Sequence, residues 1–333
     1  MHLSIPTMNF YTKLCIIIFS IISLSSCEQH ASSKDSVTIG IIEPLEHTAM
    51  NQIVAGYTET LKKLYNKPVT IKVENAQNDA NLERAIIQKM RDENYTLIVP
   101  IGVGATQMTL AMAHTQPVVS LASDLSDADR NKLNPCHVAV VHDEISAEQL
   151  LAFIHVIYPD ITAITLIHSA ADKVFPEVKD AIAAGKKYGI SVKPKMVATL
   201  PELYSTAQSL PADTQGIFVL KDSLIVSGIS TLQKIAAQKH IPLITSDEGS
   251  VQDGAGMALG VHEREIGVEG AKLSAAILNG KTACELPIVG MANLTVFINK
   301  KSLNDEAQSL PPVMDAAAKF NYNTDLVNGG LPA

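Results

Sequence analysis

Short apolar runs alternate along the chain with polar turns and helical stripes. Residues 37–42, 69–73, 97–101, 118–122 and 137–141 are runs of strand length rich in Val and Ile. Between the first two lies a stripe of Met50, Ile53, Val54, Tyr57, Leu61 and Leu64 at the spacing of one helix face, which places Tyr57 in a core. A strand, a helical crossover and a second strand make a βαβ unit, because parallel strands need a long connection. The pattern then returns. Residues 216–247 repeat the order of 96–124: a β-branched run, a polar loop, a helix, a Pro, an apolar run and Ser-Asp, as Ser123-Asp124 and Ser246-Asp247. Residues 162–197 likewise repeat 37–75.

Two successive sets of such units predict an α/β protein of two doubly wound parallel-sheet lobes. The chain is expected to cross between them at 142–144, 254–261 and 294–298, which gives a multi-strand hinge. The first lobe is expected to hold residues 37–141 and 262–291, the second 142–261 and 292–311. The Pro- and Gly-containing tail, 312–333, reads as irregular. Ligands of open parallel sheets sit outside the carboxyl ends of the strands, so two lobes with facing carboxyl edges enclose a cleft.

A chain of 333 residues is long enough for two cores. A formal charge of −8 argues against nucleic acid as a partner. The N-terminus changes the picture more. Lys13 precedes an apolar run, 14–24, too short for a bilayer span of about 20 residues, and Leu24-Ser25-Ser26-Cys27 follows. This reads as a signal peptide, 1–26, ending at a lipidation motif. Cys27 would carry the lipid, 27–36 would be a tether, and the mature chain would lack Lys13 and be one unit more negative. The address is the cell envelope, lipid-anchored, facing the periplasm or the exterior. Of the four cysteines, Cys15 leaves with the signal; a pairing of Cys136 with Cys284 is possible but cannot be read from spacing, and two half-buried free thiols are the favoured alternative. The sequence has no HExxH, G-x-S-x-G or CxxC, so neither a metal site nor a hydrolase is expected, and no cofactor is implied.

Candidate ligand contacts follow from the strand ends. In the first lobe these are Glu43, Asn75, the glycines Gly102 and Gly104, Ser123 and Asp124; at the first crossing, His142; in the second lobe, His168, Asp222, Asp247 and Glu248. The glycine loop opening a helix suits a carboxylate, since backbone N–H groups and the helix dipole favour negative charge there. Asp124, Asp222 and Asp247 suit an ammonium. Each aspartate also fits a plain helix cap, and the glycines also fit a tight turn.

Taken in order, VTIGIIEPLEH, VENAQND, LIVPIGVGATQ, TSDEGSVQDGAGMALGVHEREIG and AAILNGKTACELP resemble the substrate-binding lipoproteins of ABC importers with a type I periplasmic-binding fold, in the branch that includes aromatic amino-acid binders. The resemblance implies a monomeric, non-enzymatic receptor that closes on a small polar ligand, an amino acid or similar zwitterion, and docks on a membrane permease. It implies ligand roles for Asn75, Asp124, Asp222 and Asp247-Glu248. A sensory or assembly lipoprotein of the same fold is the alternative. Gly102-Val103 replaces the family's frequent Gly-Thr, Leu125 follows Asp124 where Pro is usual, and His168-Ser169 replaces Asn-Pro. The chain has no Trp, which leaves little material for an aromatic box.

Overall fold

The computed structural model describes residues 37–125, 136–143, 145–171, 174–291 and 293–327. The expected signal peptide, Cys27 and the tether lie outside the described residues.

Two sheets carry the fold. The first has six strands in the order β11-β5-β4-β3-β1-β2, with β1 Val37–Glu43, β2 Val69–Asn75, β3 Leu97–Pro100, β4 Val118–Ser120, β5 Val138–His142 and β11 Val289–Gly290. The second has seven in the order β13-β12-β10-β9-β8-β6-β7, with β6 Ala163–Ser169, β7 Ser191–Val197, β8 Ile217–Val219, β9 Leu243–Thr245, β10 Met257–Gly260, β12 Thr295–Ile298 and β13 Asn323–Leu326. The first five strands of each set fall in the same 2-1-3-4-5 order, so the duplication in the sequence is a duplication of topology. Every pair is parallel except β10 with β12. The outer pairs match in register as well: Val37↔Val69 to Glu43↔Asn75 in one lobe, Ala163↔Ser191 to Ser169↔Val197 in the other.

The helices of the first lobe are α1 Thr48–Leu64, α2 Ala80–Asp92 and α3 Val103–Met112. Those of the second are α4 Ala147–Ile157, α5 Val174–Lys187, α6 Leu200–Gln208, α7 Ser223–Val226, α8 Ile229–Lys239 and α9 Glu248–Gln252. The chain then returns to the first sheet through α10 Glu263–Leu278, and finishes with α11 Lys300–Asp305 and α12 Leu310–Phe320 in the second. Alternate residues of each buried strand face opposite layers. Ile39 and Ile41 pack with Tyr57 and Leu61 of α1 and Ile266 of α10, while Ile42 and Ile98 pack with Ile87 and Met90 of α2. Helices α1 and α10 approach closely because Gly56 faces the Arg264 carbonyl and Gly267 the Ile53 carbonyl, with no room for a Cβ at either. Tyr57 is fully buried and donates its hydroxyl to Ser274 Oγ at 2.7 Å, a core role as the helical stripe predicts.

Two expectations are corrected. The segment after Pro311 is not irregular: α12 buries Val313, Ala316 and Ala317 at helical spacing, and β13 adds an edge strand to β12. Pro311 and Pro312 sit in the first turn of α12, where missing N–H donors cost nothing. Cys136 and Cys284 are not free thiols; they form a disulfide across 148 residues. It joins the start of β5 to the turn between α10 and β11, a pairing that proximity in the fold creates and spacing in the sequence does not show.

Candidate inter-lobe binding site

The carboxyl ends of both sheets open on one cavity of about 550 Å³. The first lobe contributes Leu45 and His47 after β1, Gly102 and Val103 after β3, and Ala122 and Asp124 after β4. The second contributes Leu220 and Lys221 after β8 and Ser246 and Asp247 after β9. Asp143, at the first crossing, and Glu263, at the second, line the seam between the lobes.

The glycine loop after β3 lines the cavity through Gly102 and Val103. Gly102 has φ +86°, a left-handed conformation that side chains resist, and it caps α3 with no side-chain acceptor. Its N–H donates to the Leu121 carbonyl at 2.8 Å, and Thr106 Oγ1 donates to the Gly102 carbonyl at 2.8 Å while sharing a 2.7 Å bond with Ser120. These bonds hold the loop while the first-turn N–H groups of α3 lack the acceptor that a side-chain cap would supply. Among the described residues nothing lies within 4 Å of where a Cβ would stand on Gly102 or Gly104.

A carboxylate-rich cluster lines the seam and the adjoining loops of the second lobe. Lys221 forms an ion pair with Asp143 and donates to its carbonyl at 2.9 Å. Burial opposes the lysine's charge, but Asp143, with Glu263 and Asp247 behind it, outweighs burial and holds the ammonium above its ordinary pKa. Asp247 caps α9, accepting from Ser250 N at 2.7 Å and Ser250 Oγ at 2.6 Å. Glu263 is 3% exposed; its Oε1 accepts from Glu248 N at 2.8 Å, and its Oε2 is buried with no hydrogen-bond partner among the described residues. Burial first, then the charges of Asp247 and Glu248, raise the Glu263 pKa well above the carboxylate range.

Of the candidates read from the sequence, the structure brings Gly102, Asp124 and Asp247 onto the cavity wall. The others stand outside that wall. Gly104 lies one residue beyond it, in the first turn of α3, and Ser123 is buried beside Asp124, its hydroxyl without a hydrogen-bond partner among the described residues. Asp222 is a structural cap: it accepts from Ser169 N at 2.6 Å and Leu224 N at 3.2 Å. Asn75 closes its own turn on Gln77 N at 2.7 Å. His142 Nε2 meets the Leu125 carbonyl at 2.8 Å, and His168 packs its ring edge-on to Phe175. Glu43 is buried beside Glu46, and burial with that like charge pushes its pKa to about 7. Glu248 accepts from Gln52 of α1 at 3.3 Å and from Gln252 at 2.9 Å. With Thr48 donating to Asp253 at 2.8 Å, it ties α1 to α9 across the lobes.

Lys221, Asp143 and Glu263 escape the sequence reading. The first two each lie one residue from a chosen candidate, Lys221 beside Asp222 and Asp143 beside His142. The signal that finds them is position: each follows a buried strand, and all three carry charge.

The family model described as ABC transporter substrate binding protein matches residues 38–315. The chain belongs to that family. Among relatives of the substrate-binding protein, an uncharacterized protein of Rickettsia prowazekii (strain Madrid E) is 38% identical over 268 residues, 80% of this chain and 84% of that one. A tyrosine-binding protein of Clostridioides difficile (strain R20291) is 26% identical over 287 residues, 84% of this chain and 83% of its own. In structure, an ABC domain from Streptococcus pneumonia in complex with L-Trp superposes with a TM-score of 0.77 at 21% identity, over 87% of this chain and 100% of that chain. A conserved domain protein from Vibrio cholerae gives 0.78 at 21% identity, over 87% and 99%. The substrate-binding protein therefore has the periplasmic-binding fold and is a solute-binding protein, not an enzyme. Among the described residues no helix is long and apolar enough to cross a membrane.

Proposed function

We propose that this chain is the extracytoplasmic receptor of an ABC importer, closing its two lobes on an amino acid or similar zwitterion. The observation that carries the reading is the polarity across the cavity. An uncapped helix N-terminus at Gly102 lines the same cavity as the carboxylates of Asp247 and Glu263. A zwitterion satisfies both ends at once, its carboxylate on the α3 amides and its ammonium on the acidic wall. Closure strengthens such contacts by excluding water. The disulfide between Cys136 and Cys284 supports an oxidising compartment. The Leu24-Ser25-Ser26-Cys27 sequence supports a lipid anchor at Cys27.

Binding is tested by thermal shift and titration calorimetry across the amino acids, their N-acetyl forms and their decarboxylated amines. At least one free amino acid is expected to bind, and loss of either terminal charge is expected to weaken it by tenfold or more, about 1.4 kcal/mol. A protein that takes up none of the panel contradicts the proposal. The anchor is tested by membrane fractionation, in which Cys27→Ala is expected to move the chain to the soluble fraction and retention in the membrane would refute the lipid.

A further inference from the structure

Charge in the cavity is far from balanced. Asp124, Asp143, Asp247 and Glu263 line it near the seam, and Glu148, Glu177 and Asp180 line it from the helices of the second lobe. Leaving aside Glu177, which has a partner of its own, six carboxylates stand beside His47 and two lysines, Lys221 and Lys187. Both are engaged: Lys221 pairs with Asp143, and Lys187 with Glu148. A single zwitterion would bring one cation and one anion and leave this surplus as it found it.

The surplus has a focus. Glu263 is 3% exposed, its Oε2 accepts from no donor among the described residues, and its carboxyl meets the Glu248 carboxyl. Asp247, 6% exposed, keeps its oxygens on Ser250, and Glu248 next to it adds a third carboxylate. Burying a carboxyl oxygen without a partner is costly, and like charges beside it add to the cost. Burial and these neighbours hold the Glu263 pKa high, the state that an incoming cation reverses. Two other occupants fit less well. Among the described residues no three His, Cys, Asp or Glu side chains are grouped to hold a metal ion. The described lining contains aliphatic Leu45, Met50, Ile53, Ile101 and Val103 but no Phe, Tyr or Trp to stack on an aromatic ring.

We propose that the ligand is a net cation, a basic amino acid whose side chain carries a second positive group, and that Glu263 is one of its direct partners. The proposal rests on the zwitterion reading above and narrows it. The aliphatic residues cover the methylene stem, the α3 amides take the carboxylate, and the acidic wall takes both positive charges.

Matched pairs isolate the charge: L-arginine against L-citrulline, and L-lysine against L-norleucine, titrated into the full chain. The charged member of at least one pair is expected to bind tenfold or more tightly than its neutral partner. Glu263→Gln keeps the acceptor for Glu248 N and is expected to remove most of that preference, weakening the charged member of the pair by at least fivefold more than its neutral partner. Equal binding within both pairs, or tighter binding of L-tyrosine or L-tryptophan than of any basic amino acid, overturns the cationic ligand and leaves the receptor reading standing. A preference that survives Glu263→Gln overturns the role of Glu263. Binding of Mg²⁺ or Ca²⁺ alone, competing with the basic amino acids, replaces the proposal with a metal site. No binding by any amino acid ends both readings.

Discussion

At the scale of the residue, position relative to a strand end was legible and side-chain direction was not. Asp222 and Asp247 occupy matching places after β8 and β9, and the sequence leaves cap and ligand open for both. The structure turns Asp222 inward onto Ser169 N, while Asp247 caps α9 and still reaches the cavity. Asp222→Ala is therefore expected to lower stability by about 1–2 kcal/mol with little change in ligand affinity, measured by denaturant unfolding beside calorimetry; a selective loss of affinity would restore it to the site. A second buried acid gives a pH signature. Glu306 is fully buried, its Oε2 accepts from Leu243 N at 3.0 Å, and burial raises its pKa to about 8. An acid with a raised folded pKa contributes stability that is complete below its unfolded value of 4.5 and is lost as pH climbs towards 8. Unfolding free energies of the native chain and Glu306→Gln should accordingly diverge between pH 5 and 8, by at most about 1.4 kcal/mol per unit, the native chain falling faster. Parallel curves would show that Glu306 ionises in the folded state as it does in the unfolded one.

At the scale of the element, the buried strands announced themselves because both of their faces are covered, so each reads as a continuous apolar run rather than an alternation. The edges did not. Strand β13, with the sequence Asn-Thr-Asp-Leu, is exposed along most of its length and is a strand only through its pairing with β12. Helix α12 was hidden by the two prolines that begin it. The disulfide was hidden for a different reason: its partners are 148 residues apart, and only the return of α10 to the first sheet brings them together. Closing so long a loop constrains the unfolded chain, so Cys136→Ser with Cys284→Ser is expected to cost about 2–4 kcal/mol in denaturant unfolding, with ligand affinity preserved because neither residue lines the cavity. Unchanged stability would mean that the bond closes nothing the folded chain does not already hold.

At the scale of the molecule, the duplicated βαβ pattern is sufficient to predict two lobes, and the 2-1-3-4-5 order in each sheet makes both carboxyl edges available to one ligand. Three crossings, after β5, β10 and β11, connect the sheets, and the ion pair of Lys221 with Asp143 sits at the first of them. A ligand held as proposed would couple binding to the angle between the lobes, because the α3 amides belong to one lobe and Asp247 to the other. The direct measurement is small-angle X-ray scattering of the full chain, with and without the amino acid that calorimetry shows to bind. The account predicts a smaller radius of gyration at saturation and a distance distribution shortened at its long end. Saturation with no change in either curve would contradict closure of the lobes across a shared cavity.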